Sequence, residues 1–259
     1  LALTNALNKA IRGANVTAPT IYSNPSVKQL AGVLSQNVSN VKGQPAVPLT
    51  REEKIDRMVR KYTQDMVRQK DSPATRQRPT KHTVVLTGST GSLGTHMLEQ
   101  LLSNPDVERV YCMNRSDGAG ARQKASFTKH QHDTTHFSKA SFLKTDFAQH
   151  NFGLDDATYA QLRDTATLFI HSAWSVDFNL SLESYEATHI AGTRRAIDFC
   201  AASPHAPALV FISSIASVGN WGSVAPDGSA VPESVSSLFD ARLTLPQGYG
   251  ESKHAAAQI

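Results

Sequence analysis

Eight residues limit this chain more than any others: Thr87, Gly88, Ser89, Thr90, Gly91, Ser92, Leu93 and Gly94. They follow Val84-Val85-Leu86, an apolar run of strand character, and lead into a segment whose Leu93, Met97, Leu98, Leu101 and Leu102 recur at helical spacing. Glycine at every third position gives G-x-x-G-x-x-G at a strand-to-helix junction. The first serves the tight turn, the second lets backbone approach a pyrophosphate, and the third lets the helix pack closely on the strand. The helix N-terminus adds free N–H groups and the positive end of its dipole. A glycine triplet alone also occurs in ordinary turns; at this junction it predicts a nucleotide cofactor held by its phosphates.

The alternation continues. Val110-Tyr111-Cys112-Met113, Phe142-Leu143, Leu168-Phe169-Ile170 and Leu209-Val210-Phe211-Ile212 read as further strands, with helical stretches near 156–164 and 183–202. Such a series predicts an α/β fold, a Rossmann-like doubly wound parallel sheet covered on both faces, over residues 81–259. A last helix begins near Tyr249 and no sixth strand follows, so a longer polypeptide cut at both ends is expected.

Two other regions precede this one. Residues 1–38 hold two helical patterns, Leu3/Leu7/Ala10/Ile11 and Val27/Leu30/Ala31/Leu34, the second opened by Asn24-Pro25. Alone they bury too little surface for a domain. Residues 39–80 read as a linker. Pro45 and Pro48 precede Thr50-Arg51-Glu52-Glu53, a capping-box pattern. Ile55, Met58, Val59, Tyr62 and Met66 then line one face of a helix that must dock somewhere; Ser72-Pro73 and Pro79 end the region.

Composition removes several function classes. With 40% hydrophobic and 19% charged residues the chain supports a packed core. The formal net charge is +4, yet residues 51–82 alone hold ten Lys/Arg against five Asp/Glu, so the rest is close to neutral. That run reads as a solvated linker face, and without an aromatic-rich basic stripe no nucleic-acid partner is expected. No stretch approaches the roughly 20 apolar residues of a membrane span, and the start lacks signal-peptide character. Cys112 and Cys200 are too few for a disulfide framework or a four-cysteine zinc site, and are expected as reduced core residues of a cytoplasmic protein. His130, His132 and His136 have only Asp133 nearby to complete a ligand set, so a solvated loop and no metal are expected.

The chemistry-bearing residues come in two groups. Where a carboxylate after the second strand would bind a ribose 2′-hydroxyl, this chain has Asn114-Arg115-Ser116, with Arg122 further on; arginine suits a 2′-phosphate and predicts NADP. An exposed charge at a strand end is the plain alternative for Arg115. The glycine spacing resembles that of the extended short-chain dehydrogenase/reductases. This resemblance puts Asp146 at the adenine, although alone it serves equally as a turn or cap residue. It also puts His171-Ser172-Ala173-Trp174 along the nicotinamide side, where buried packing is an equal reading for His171 and Trp174.

The second group centres on Tyr249 and Lys253, one helical turn apart and therefore on one face. An ammonium beside a phenol lowers its pKa and makes it a usable proton donor, and the lysine can also hold the nicotinamide ribose. Ser213-Ser214 closes the fifth strand, where ligands of parallel sheets gather. Ser214, directly before Ile215-Ala216, is preferred as the catalytic hydroxyl, leaving Ser213 to the cofactor. Ser214, Tyr249 and Lys253 are similar in kind and order to the short-chain reductase triad. Within His189-Ile190-Ala191-Gly192-Thr193, histidine stands where many extended members carry asparagine, so His189 is given no role. Residues 219–246, rich in Gly, Ser and Pro, read as a wall or lid for substrate.

Together, Thr87–Gly94, Arg115, His171–Ala173, Ser213-Ser214 and Gly248–Lys253 resemble the terminal thioester reductase of adenylate-forming reductases. That group includes carboxylic acid reductases, the aminoadipate reductase type and fungal synthetase-like reductases. Ile21-Tyr22-Ser23-Asn24-Pro25-Ser26-Val27 through Leu30-Ala31 looks like the closing helix of a phosphopantetheine carrier domain, and Leu1-Ala2-Leu3 like the helix after its modified serine. The resemblance implies NADPH as reductant, an acyl thioester on a carrier in cis, an adenylation domain upstream and an aldehyde product, with further reduction to alcohol open. The rivals are an extended-family sugar-nucleotide epimerase or dehydratase, against which the carrier-like N-terminus and the long gap from Ser214 to Tyr249 both count, and a non-catalytic NADP-binding module.

Overall fold

The computed structural model describes all residues except 1, 13, 15, 23, 25, 40–48, 67–79, 226–227 and 234–237. Leu1, Pro25, Pro45, Pro48, Ser72-Pro73 and Pro79, which carry sequence expectations, lie outside the described residues. The elements run α1 (Ala2–Ala10), α2 (Ala18–Tyr22), α3 (Val27–Ser39), α4 (Arg51–Thr63), β1 (His82–Thr87), α5 (Ser92–Ser103), β2 (Val107–Asn114), α6 (Ala119–Lys129), β3 (Ala140–Lys144), α7 (Asp156–Thr165), β4 (Leu168–His171), α8 (Ala191–Ala202), β5 (Ala208–Phe211), α9 (Trp221–Val224) and α10 (Gly248–Ala257). They divide into a sheet unit, residues 62–175 and 187–213, and a helical unit, residues 1–61, 176–186 and 214–258.

In the sheet unit all five strands are parallel, in the order β3-β2-β1-β4-β5. The two-residue period of a strand splits its side chains between two cores. Val84 and Leu86 pair in register with Val110 and Cys112 and pack with Leu98, Leu102 and Phe127 beneath α5 and α6. Val85 pairs with Tyr111 and joins Phe147, Phe152, Phe169 and Phe199 beneath α7 and α8 on the other face. Cys112 and Cys200 are buried, and burial pushes both thiols up to about 12. Coverage of both faces, expected from the apolar runs, stops at β5. This is one of the two edge strands, α5 and α6 lie over β1–β3, and Val210 is 42% exposed.

The stretch expected as one helix over 183–202 is three pieces: a 3-10 turn at Leu182–Tyr185, a π turn at Glu186–Ile190, and then α8. A π turn widens the helix by one residue, a local change that apolar periodicity does not report.

In the helical unit, Leu7, Ile11, Ile21 and Leu30 pack against buried Ala14, Val16 and Leu34. Leu3 and Val27, expected on the apolar faces, are exposed. The α3 start also differs from expectation. Ser26 and Gln29 exchange capping bonds, the Ser26 N–H donating to Gln29 Oε1 and the Gln29 N–H to Ser26 Oγ, while the Asn24 amide donates to the Thr20 carbonyl. The expected box at α4 forms: the Thr50 N–H donates to Glu53 Oε2 (2.7 Å) and the Glu53 N–H to Thr50 Oγ1 (3.2 Å). The apolar stripe of α4 does dock. Ile55 and Met58 are buried, Arg51 donates to the carbonyl and hydroxyl of Thr244, and Lys54 pairs with Glu183 at 3.3 Å. No helix among the described residues is long and apolar enough to cross a membrane.

Candidate active site

In the sheet unit the switch in strand order falls between β1 and β4, and these two strands end there, with Thr87 on one side and His171 on the other. Open parallel sheets hold ligands at such a crevice. Thr87 Oγ1 accepts the N–H groups of Ser172 (3.0 Å) and Ala173 (2.8 Å), so one buried hydroxyl ties both strand ends together.

Two glycines of the loop are required by geometry. Gly88 has φ +74° and faces Ala173 so closely that a Cβ would lie 3.0 Å from its backbone. A Cβ on Gly94 would stand 2.0 Å from the Gly88 carbonyl oxygen, so α5 could not begin where it does. Gly91 occupies the N-cap of α5, where no side chain caps the helix, which leaves its first N–H groups for an anion. Ser89 is fully buried and donates to Asn114 Oδ1 (3.2 Å); Thr90 reaches the same atom at 3.4 Å, and Asn114 donates to the Cys112 carbonyl. Asn114 thus anchors the loop to the end of β2. Its type, a buried polar residue closing an apolar strand, was the available signal, and sequence reasoning passed over it in favour of the neighbouring arginine. The glycine cradle, the uncapped helix start and the polar floor fit a dinucleotide pyrophosphate.

The charged candidates surround the end of β2. Arg115 is exposed at the end of β2, as both readings of it require. Arg122 is exposed too and donates to the Asp117 carbonyl and to Ser116 Oγ, bracing that turn. Asp117, a carboxylate in this region, is engaged by Lys144 at 2.6 Å, whose hydrogen bond holds it below the usual carboxylate range. Asp146 takes the turn role open to it: its carboxylate accepts the Ala148 N–H and the Gln149 amide, and the first of these leads in holding its pKa low. His171 is buried, stacked on Phe147 at 5.3 Å and bonded to Thr87 Oγ1, the packing reading. Trp174 packs on His189 (4.7 Å), whose Nε2 meets the hydroxyl of Ser175.

In the helical unit, α10 carries Tyr249 and Lys253 and packs on the turns at 182–185 and 215–217. Ser214 is the N-cap of the second turn; its Oγ accepts the Ala216 N–H at 3.2 Å, which keeps its own proton free to donate. The turn lies hard against α10, since a Cβ on Gly250 would come within 2.7 Å of the Ala216 carbonyl oxygen. The structure therefore brings Ser214 and the Tyr249/Lys253 helix together, and places Ser213 in the sheet unit. Phe178 meets the Tyr249 ring edge-on at 5.4 Å, with Tyr185 at 6.5 Å. Lys253 is 2% exposed, and burial pulls its pKa down to about 7. Its ammonium is thus costly where the sequence reading treated it as a standing charge. On the same helix Glu251, raised chiefly by burial, faces Arg51 at 4.0 Å. The 219–246 segment is tied at its base: the Asn220 N–H donates to the Leu243 carbonyl and the Leu245 N–H to the Ala216 carbonyl.

The histidine-rich segment departs from the solvated loop expected of it. His130 and His136 are exposed, but the His132 side chain is only 10% exposed, against Phe127 and His96.

Residues 86–259 match the male sterility protein family model, an NAD-binding domain. The chain is similar to the adenylate-forming reductase Nps11 of Serpula lacrymans, 38% identical over 92% of this chain and 22% of the relative. It is 33% identical to the carboxylic acid reductase of Neurospora crassa, over 96% of this chain and 23% of that one. The chain thus spans about a fifth of the length of these relatives. The terminal R domain of the myxalamid biosynthetic pathway has the same fold, with a TM-score of 0.58 at 24% identity, covering 69% of this chain and 44% of that one. A family match over most of the sheet and all of α10 agrees with the parallel sheet, the glycine cradle and the Tyr249/Lys253 helix: the chain belongs to the male sterility protein family.

Proposed function

We propose that this domain uses NADPH to release a carrier-bound acyl thioester as an aldehyde, within a longer carboxylic acid reductase. The observation that carries this is the buried Lys253 one turn from Tyr249, on a helix packed against the Ser214 turn. This is acid–base equipment for a carbonyl oxygen, and a nucleotide-binding module has no use for it. The glycine loop and the α5 N-terminus hold the pyrophosphate, and Arg115, with Arg122 behind it, meets the 2′-phosphate. Ser172, Ala173 and Ser213 flank the nicotinamide, and Asp146 remains the candidate beside the adenine. When bound, the cofactor supplies a hydride to the thioester carbonyl carbon.

The protein's own residues manage the oxygen. Ser214 and Tyr249 donate hydrogen bonds to it as negative charge develops, and Tyr249 delivers its proton. Lys253, in its ammonium form, offsets the negative charge that proton delivery leaves on Tyr249 and orients the ribose. The resulting hemithioacetal breaks its C–S bond, giving aldehyde and the free pantetheine thiol. Residues 219–246 wall off the substrate. The helices of residues 1–38 belong to a carrier domain in cis, the linker of residues 39–80 docks through α4, and an adenylation domain loads the carrier.

The test follows NADPH loss and aldehyde formation together, in the full-length protein, across a panel of acyl-pantetheine thioesters. Matched loss and product are expected, with Tyr249→Phe lowering turnover about 10²–10⁴-fold while NADPH still binds. NADPH binding without turnover on any thioester would sink the reading in favour of a non-catalytic module, and a tightly retained NAD with no net oxidation would favour an epimerase.

A further inference from the structure

We propose a zinc-class divalent metal site formed by His96, Glu99 and His132, remote in chemistry from the reductase centre. His96 and Glu99 lie three residues apart on α5 and so share one face; His132 reaches them from the turn after α6. One ligand atom from each lies within 4.8 Å of the other two. Glu99 Oε1 stands 3.5 Å from His132 Nδ1, close to the edge of roughly 3.3 Å that a tetrahedron with bonds of about 2.0–2.1 Å requires.

The second observation concerns the environment of His132. Its side chain is 10% exposed, yet its Nε2 is buried with no hydrogen-bond partner among the described residues. Nδ1, the nitrogen that faces Glu99, is the atom that would take the ion, and burial of the side chain holds the ring in that orientation. Two imidazoles and a carboxylate form the donor set of zinc rather than of magnesium or calcium. His96 is exposed and opens the cluster to entry from solvent, and water completes the four donors of an open zinc site. The ion would clamp α5, the helix that starts at the phosphate loop, to the turn between α6 and β3.

Untagged protein, stripped with chelator and titrated with Zn²⁺, should bind one equivalent by calorimetry. Co²⁺ in its place should give the visible bands of a four-coordinate site. Zn²⁺ should raise the thermal midpoint by several degrees, reversed by chelator. His96→Ala and His132→Gln should each weaken binding at least a hundredfold while NADPH affinity, measured in the same samples, stays unchanged and reports an intact fold. Absence of stoichiometric binding at micromolar Zn²⁺ by the unaltered protein overturns the proposal, as does binding that survives both substitutions.

Discussion

The phosphate loop and the Tyr249 helix are both small, glycine-bearing and polar, yet they are made by opposite means. The loop is a backbone device. Gly88 and Gly94 are there because no Cβ fits, and the bonds that hold it run through Thr87, Ser89 and Asn114 over a few ångströms. The Tyr249 helix is a burial device. Lys253 acquires its unusual pKa by being enclosed, with desolvation as the cause, and Glu251 beside it is raised mainly for the same reason. A backbone device tolerates changes of charge and fails on added volume. A burial device responds the other way, because its character lies in the cost of a charge that water cannot reach.

Replacing Lys253 by Met gives the largest contrast. Turnover should fall about a thousandfold with loss of the cation proposed to balance the charge on Tyr249. Stability should move in the opposite direction. The folded pKa of about 7 lies below the free-lysine value of 10.5, so the folded chain binds fewer protons between these values and stability rises with pH across that window. Below pH 7 the full cost of a buried ammonium is carried, about a few kcal/mol. Lys253→Met should therefore raise the thermal midpoint more at pH 6 than at pH 9.5; an equal change at both would show that burial of charge is not what distinguishes this helix.

Gly94→Ala tests the other side. A Cβ 2.0 Å from the Gly88 carbonyl oxygen must displace α5, costing about 3 kcal/mol and most of the NADPH affinity. That loss should be the same at both pH values, read by denaturant midpoint and cofactor titration. Near-normal NADPH binding by Gly94→Ala would mean the loop is not held by close packing. Arg115→Ala is the mildest. An exposed arginine removed from the end of β2 should weaken NADPH about tenfold and leave NADH unchanged, with no change in stability. Equal losses for both cofactors would take the 2′-phosphate away from Arg115.

Much of this molecule was legible in the residue order because its causes are local. The glycine spacing of 88, 91 and 94, the apolar runs of β1–β4, the Thr50/Glu53 box and the Tyr249/Lys253 turn each depend on residues a few positions apart, where sterics and helix geometry act directly. What depended on distant partners was not legible. Asn114 became the anchor of the loop only when β2 was laid beside β1, and α4 found Thr244 and Glu183 nearly 200 and 130 residues away. His132 joined His96 and Glu99 across the α5–α6 contact, and Lys253 lost its ordinary pKa through enclosure. Backbone conformation is a short-range property and a linear sequence carries it. Burial, and with it the charge state of a side chain and the company it keeps, exists only once the chain has folded around it.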